Sequence, residues 1–265
     1  MNIISLGAGV QSSTMALMAA HGELMPMPDC AIFADTGWEP KRVYDWLEKL
    51  VEYLPFPFYR VQRGNLRQEQ IDGGSARTGG RFAGVPWFIR NPDGSKGMGR
   101  RQCTSHYKVE VINRKVVELC GGRRKKGQAI MWVGISTDEA GRMKDSKVQY
   151  IKNRWPLIEL GMSRHDCEKW LTRHGYLIPP KSACIGCPYH NDAMWRDMKK
   201  NDPESWNDAV EVDRLIRRAT KHRGMKGEQF MHPSLIPLGE VDLSTDEDRG
   251  QLNLFNNECE GYCGV

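Results

Sequence analysis

Cysteine spacing is the most chemically pointed feature of this sequence. Cys184-Ile-Gly-Cys187-Pro188 puts two thiols at a C-x-x-C separation, and thiolates so spaced can bind one metal centre. Two ligands do not complete a site, so partners must come from elsewhere in the chain. Cys103 is the natural third: it stands beside Arg100, Arg101, His106 and Lys108, whose charges favour the thiolate form that ligates metal. The fourth position is open to Cys263, Cys120, Cys259, His190, a substrate sulfur or nothing. An iron–sulfur cluster, a zinc site and a dithiol redox pair all fit this spacing, and His190 keeps zinc in view. A further pair closes the chain in "NECEGYCGV". There Cys259 and Cys263 could act as attacking and resolving thiols, or one of them could ligate the centre.

A second constellation suits an anion. "SLGAGVQSS", residues 5–13, runs from an apolar strand through glycines into a helix start. Glycines let backbone N–H groups approach a phosphate, the helix N-terminus adds partial positive charge, and Ser12 and Ser13 offer hydroxyls. The loop has neither the Gly-Lys-Ser/Thr ending of a Walker A motif nor a dinucleotide G-x-G-x-x-G, and a plain tight turn between strand and helix remains open. Asp35-Thr36-Gly37 follows the next apolar run directly. On a parallel sheet that is the edge where ligands bind, and a carboxylate there can accept from a ribose or adenine or hold Mg²⁺; it can equally cap a turn.

These residues need a scaffold, and the apolar pattern supplies one. Strands are expected at 2–6, 30–35, 58–62 and 129–135, the last with almost no polar residue, as a central parallel strand requires. Helices are expected at 11–22, 40–54, 109–120 and 164–175, with glycines at several ends. The alternation predicts an α/β fold with a doubly wound, mainly parallel sheet over residues 1–180. Residues 181–265 read as a cysteine-containing appendage of helices and irregular tail. The Gly- and Arg-rich stretch 63–102 reads as one long loop, with room for a short helix.

Bulk composition narrows the function classes. The 265 residues are 40% hydrophobic and 27% charged, with a net charge of +5, which favours anionic ligands without requiring nucleic acid. No apolar run has membrane-spanning length and no basic segment precedes an apolar N-terminal stretch. A cytoplasmic protein with no membrane partner is therefore expected. In that compartment the eight cysteines are free, metal-bound or catalytic rather than disulfide-bonded.

"SLGAGVQSS", "FADTGWEPKRVYDWLEKL", "GISTDEAGRMK", "WPLIEL" and "SACIGCPYH" follow one another along most of the chain. In that order they resemble the phosphoadenosine phosphosulfate (PAPS) reductase family, within the PP-loop adenine nucleotide α-hydrolase superfamily. The resemblance implies a HUP-like fold that binds an adenine nucleotide: PAPS, APS or ATP, the last with Mg²⁺. Gly7, Ala8, Gly9, Gln11 and Ser12 fall on the pyrophosphate motif, and Asp35, Thr36, Gly37 and Gly134 on neighbouring parts of the site. Lys108 and Arg142 match basic residues that would hold phosphate or sulfate. Three positions depart from the pattern. Gly7 replaces a Ser and Gln11 replaces an Asp associated with ATP cleavage, as in sulfonucleotide reductases, while Ser136 stands where those reductases tend to carry Arg.

The resemblance also bears on the cysteines. Iron–sulfur reductases of the family use a Cys-Cys pair with a later C-x-x-C, whereas this chain has Gln102-Cys103. Cys103, Cys184 and Cys187 holding a [4Fe–4S] cluster with one open iron is similar to the centre with which thiolation enzymes carry sulfide; Cys263 is the candidate fourth ligand and Zn the alternative metal. Glu258-Cys259 near Gly261 is similar to the reductase tail, whose cysteine attacks the sulfonucleotide. Three functions follow. One is an enzyme, a thiol-dependent sulfonucleotide reductase served by a thioredoxin-like reductant. Another is an ATP-dependent sulfurtransferase acting on a nucleic acid, which "GGRRKKG" at 121–127 could contact. The third is a non-catalytic nucleotide-binding regulator. A homodimer is compatible with each.

Overall fold

The computed structural model describes residues 1–72, 84–222 and 227–244. In chain order the elements are β1 (Asn2–Leu6), α1 (Val10–Ala20), β2 (Cys30–Asp35), α2 (Lys41–Glu52), β3 (Phe58–Gln62), α3 (Leu66–Asp72), β4 (Phe88–Arg90) and β5 (Lys96–Met98). A π-helical turn (Thr104–Val109) then runs into α4 (Glu110–Leu119), followed by β6 (Ala129–Val133) and a 3₁₀ turn (Thr137–Arg142). The remainder is β7 (Ile151–Arg154), α5 (Pro156–Glu159), α6 (Arg164–Arg173), α7 (Asp192–Asn201), α8 (Pro203–His222) and β8 (Glu228–Phe230), with a last 3₁₀ turn at Leu238–Glu240.

Two compact units contain these elements. The first is Met1–Arg63 with Ser105–Ser182; the second is Gly64–Thr104 with the described residues from Ala183 onward. Against the expected division at residue 180, the stretch 64–104 therefore groups with the C-terminal residues. Pairing is the reason: β4 is antiparallel to both β5 and β8, so Phe88 faces Met98 on one side and Phe230 on the other.

In the first unit five parallel strands lie in the order β3-β2-β1-β6-β7. Side chains alternate across the sheet. Ile4, Leu6, Ala31 and Phe33 pack with residues of α1, α2 and α6 such as Leu17, Leu47, Leu50 and Leu171. Ile3, Ile32, Ala129 and Met131 pack on the opposite face with Val116 of α4. Both faces are covered, which is why the strands read as unbroken apolar runs; each fully buried Leu or Ile contributes about 1.5–3 kcal/mol. The doubly wound α/β architecture is thus present. Strand order reverses between β1 and β6, so the loops after these two strands flank the topological switch point, where open α/β sheets bind ligands.

The second unit holds what the sequence offered only as a loop. Asn91-Pro92-Asp93-Gly94 makes a hairpin turn: Asn91 N–H donates to Ser95 O at 2.9 Å, Asp93 accepts from Ser95, and Gly94 takes φ +81°. α3 is tied to α8 by Arg67, which reaches Asp208 at 2.5 Å and Glu211 at 2.7 Å. Buried Asp213 of α8 accepts from Met231 N and Leu238 N, both at 2.9 Å, and fixes the segment after β8. Among the described residues no helix is long and apolar enough to cross a membrane.

Candidate functional site

The phosphate loop is built where β1 ends. Ala8 adopts φ +57°, a left-handed conformation that folds the chain back before Gly9, the N-cap of α1. No side chain caps that helix and its first turn has no acidic residue, so its leading N–H groups and partial positive charge are left for an anion. Ser12 shapes the turn: its Oγ accepts from Gly7 N at 3.1 Å and donates to Gly9 O at 3.3 Å. Ser13 is not part of the anion surface, because its buried Oγ accepts from Trp46 Nε1 at 2.9 Å.

The β6 loop closes on this turn. A Cβ added to Gly134 would stand 2.8 Å from both Ser12 N and Ser12 Cα, so only glycine lets strand end and helix start approach so closely. Next to it, Gln11 Nε2 donates to Ser136 Oγ at 3.4 Å, with both residues buried. Two of the positions that depart from the family pattern are therefore partners. An uncharged amide meets a hydroxyl, and the loop carries no carboxylate of its own.

At the neighbouring strand end, Asp35 is buried and heavily engaged. It accepts from Arg60 Nε at 2.9 Å and Nη2 at 2.7 Å, from Tyr44 Oη at 2.8 Å and from Gly37 N at 2.7 Å. Burial, and then donation to Asp35, push the Tyr44 phenol well above its usual range. Asp35 thus shapes the loop that carries Thr36 and Gly37, whose φ of +68° needs glycine. Thr36 Oγ1 donates to buried Glu39 at 3.2 Å, and Lys108 Nζ lies 3.5 Å from the same carboxylate oxygen. Arg142 pairs with Glu139 at 2.6 Å inside the 3₁₀ turn. His106 meets Arg63 at 2.6 Å and Glu110 at 3.7 Å. Arg90 is engaged by Glu228, the Leu235 carbonyl and the Phe230 ring.

Cys103, Cys184 and Cys187 share the second unit; each is half-buried and outside any disulfide. Cys187 N donates to Cys184 O at 3.0 Å and His190 N to Cys187 O at 3.2 Å, so the C-x-x-C turn continues to a buried histidine that packs against Trp195. Gln102 N and Cys103 N both donate to Gly84 O, at 3.0 and 3.2 Å. Two contacts then join the segment before Cys103 to the C-x-x-C turn. Trp87 Nε1 donates to Gly186 O at 3.1 Å, and the Arg101 guanidinium lies 5.2 Å from the centre of the Tyr189 ring. The stretch 84–103 and the C-x-x-C turn, far apart in sequence, are thereby joined within the second unit. The Gln102 side chain accepts from Gly84 N at 3.1 Å, which makes it a pin for the loop.

Cys259 and Cys263 lie outside the described residues. Cys120 ends α4 and packs against the core of the first unit. Cys30 and Cys167 are fully buried there, and burial pushes their thiols up to about 11 and about 12. Sequence reasoning missed Arg60, Tyr44 and Glu39. Their signal was weak: Arg60 sits in a strand with an apolar reading, and only the β2–β3 pairing sets it beside Asp35.

No family model and no curated protein matches this sequence. Among solved structures the chain is similar to the phosphoadenylyl-sulfate (PAPS) reductase from Candida auris in its phosphate complex, at 15% identity and a TM-score of 0.43, over 67% of this chain and 74% of that one. It is also similar to the U34-tRNA thiolase NcsA from Methanococcus maripaludis with its [4Fe–4S] cluster, at 16% identity and a TM-score of 0.42, over 81% of this chain and 72% of that one.

Proposed function

We propose that this protein is an adenine-nucleotide-binding enzyme of sulfur chemistry, a PAPS-reductase-like reductase of a sulfonucleotide. One observation carries the reading: the loop after β1 closes on Gly134 and Ser136 at the switch point, with neutral Gln11 at its buried position. A helix N-terminus whose first turn holds no carboxylate attracts phosphate, and that turn offers no side chain suited to recruiting Mg²⁺ for ATP cleavage. Backbone N–H groups of Gly9 to Ser12 would hold the nucleotide phosphates. Asp35 would keep the Thr36–Gly37 turn in place, and Lys108 and Arg142 would exchange Glu39 and Glu139 for anionic oxygens of the ligand.

Cys103, Cys184 and Cys187 would hold a [4Fe–4S] cluster, with Cys263 as candidate fourth ligand and Zn²⁺ as the alternative occupant. The donor set fits: three half-buried thiols outside any disulfide, on turns fixed by backbone hydrogen bonds, suit a soft metal centre. Bound there, the cluster supplies electrostatic and structural support rather than electrons. The Cys259 thiolate would attack the sulfonate sulfur, forming S–S as the S–O bond to the nucleotide phosphate breaks. A thioredoxin-like dithiol would then attack the Cys259 sulfur and release sulfite. The test is incubation with PAPS and a reduced dithiol: sulfite release that disappears in Cys259→Ser supports the reading, and its absence from cluster-loaded wild-type protein overturns it. Anaerobic metal analysis should find about four irons per chain, falling in Cys103→Ser.

A second reading is favoured by Gln102. Pinned to Gly84, it leaves three thiols where the reductases supply four, as in an ATP-dependent sulfurtransferase acting on a nucleic acid. Pyrophosphate release from ATP would select that reading over the reductase.

A further inference from the structure

At the end of the first unit remote from the phosphate loop, two helices finish in the same way. α1 ends in His21-Gly22-Glu23 and α6 in His174-Gly175-Tyr176. Both close with a Schellman pair. Gly22 N donates to Ala19 O at 3.0 Å and Glu23 N to Met18 O at 2.9 Å; Gly175 N donates to Thr172 O at 3.1 Å and Tyr176 N to Leu171 O at 2.9 Å. Both glycines have φ +76°, so each helix turns back by the same geometry and presents its histidine and the residue two positions later together.

The side chains meet crosswise. His21 Nε2 lies 2.8 Å from Tyr176 Oη, and His174 Nε2 lies 3.5 Å from Glu23 Oε1. One donor atom from each of His21, Glu23 and His174 falls within 4.8 Å of the other two. The supporting bonds are already made. His174 Nδ1 is 2.8 Å from the Trp170 carbonyl, which can only accept, so Nδ1 donates there and Nε2 is the nitrogen on the Glu23 side. The ring stacks on Trp170 at 4.0 Å, and Trp170 Nε1 donates to Glu23 Oε2 at 2.9 Å. Two helix C-termini add partial negative charge at the same spot.

We infer that His21, Glu23 and His174 form a binding site for a borderline transition-metal cation of the Zn²⁺ class. Two imidazoles and one carboxylate are a donor set that Zn²⁺ accepts in tetrahedral geometry, with water in the fourth position. The 11 residues of α1 span about 16 Å, so the cation would sit well away from the phosphate loop and would clamp the ends of α1 and α6. The site uses no cysteine and does not depend on the occupant of the thiol centre.

The test uses the full-length protein with its thiol centre as isolated, dialysed against Zn²⁺ and analysed for metal. Wild-type protein should hold one more Zn²⁺ per chain than His174→Gln, and Glu23→Gln should weaken that extra binding at least about tenfold while still accepting from Trp170. Co²⁺ at the site should give ligand-field bands without a sulfur charge-transfer band. Zn²⁺ should raise the Tm of the wild type but not of either variant. Equal zinc content in wild type and both variants overturns the inference, and so does extra zinc that disappears when thiols are alkylated. If His174→Gln fails to fold, the exposed Glu23→Gln carries the comparison.

Discussion

Replacing Gly134 by alanine tests the closure of the phosphate loop with a single methyl group. The new Cβ would meet Ser12 N and Cα at 2.8 Å, and both are backbone atoms that cannot rotate away. Restoring ordinary contact at 3.4 Å needs a displacement of about 0.6 Å (3.4 − 2.8), shared between the end of β6 and the first turn of α1. Overpacking of this kind costs about 1–3 kcal/mol of folding stability. It also turns N–H donors of the α1 N-terminus off a bound phosphate. Loss of one such charge-assisted bond, about 1.5–3 kcal/mol, would weaken nucleotide binding roughly tenfold or more. Urea denaturation gives the first quantity and titration with PAPS and ATP the second. Gly141→Ala is the internal control, since a Cβ there meets nothing within 4 Å and should leave both unchanged. If Gly134→Ala matched the wild type in stability and affinity, the loop would not be held by this contact and the nucleotide site would have to lie elsewhere.

Other consequences are as direct. Asp213→Ala should cost about 3–5 kcal/mol by denaturant unfolding, because it strands the Met231 and Leu238 N–H groups and removes the carboxylate facing Arg217. Trp87→Phe deletes the bond to Gly186 O, so Cys184 and Cys187 should react faster with maleimide, at a cost of about 1–3 kcal/mol. Cys30 and Cys167 should resist alkylation in the native protein, since burial raises both thiols from 9.0, to about 11 and about 12. With the folded values raised, their contribution to stability is complete below about pH 9 and is lost as pH rises towards 11–12. Replacing both by alanine should flatten that alkaline slope.

Much of the first unit was legible in the sequence because burial on both faces writes itself into composition. The runs at β1, β2 and β6 contain almost nothing polar, and a parallel strand covered by helices has no solvent face to record. β7 escaped for the converse reason: Ile-Lys-Asn-Arg at a sheet edge looks like any polar turn, and only its pairing with β6 makes it a strand. The second sheet escaped through distance. β4, β5 and β8 are three residues each, and β8 comes from far along the chain, so no local window contains the ladder. The turn chemistry of Asn91 to Gly94 was present and is the one local sign of the hairpin.

The sequence by itself determined the chemistry on offer: a glycine turn at a helix start, a C-x-x-C with a third thiol in a basic stretch, and alternating elements to carry them. Tertiary structure alone decided which groups became partners. It engaged Asp35 with Arg60 and Tyr44, set Gln11 against Ser136, bonded Trp87 to the Gly186 carbonyl of the C-x-x-C turn, and brought the ends of α1 and α6 together around His21, Glu23 and His174. The physical reason is common to all four. Residue type and spacing fix what a side chain can donate or accept, but the meeting of groups far apart in the chain is settled by strand order and helix packing, which local sequence does not encode.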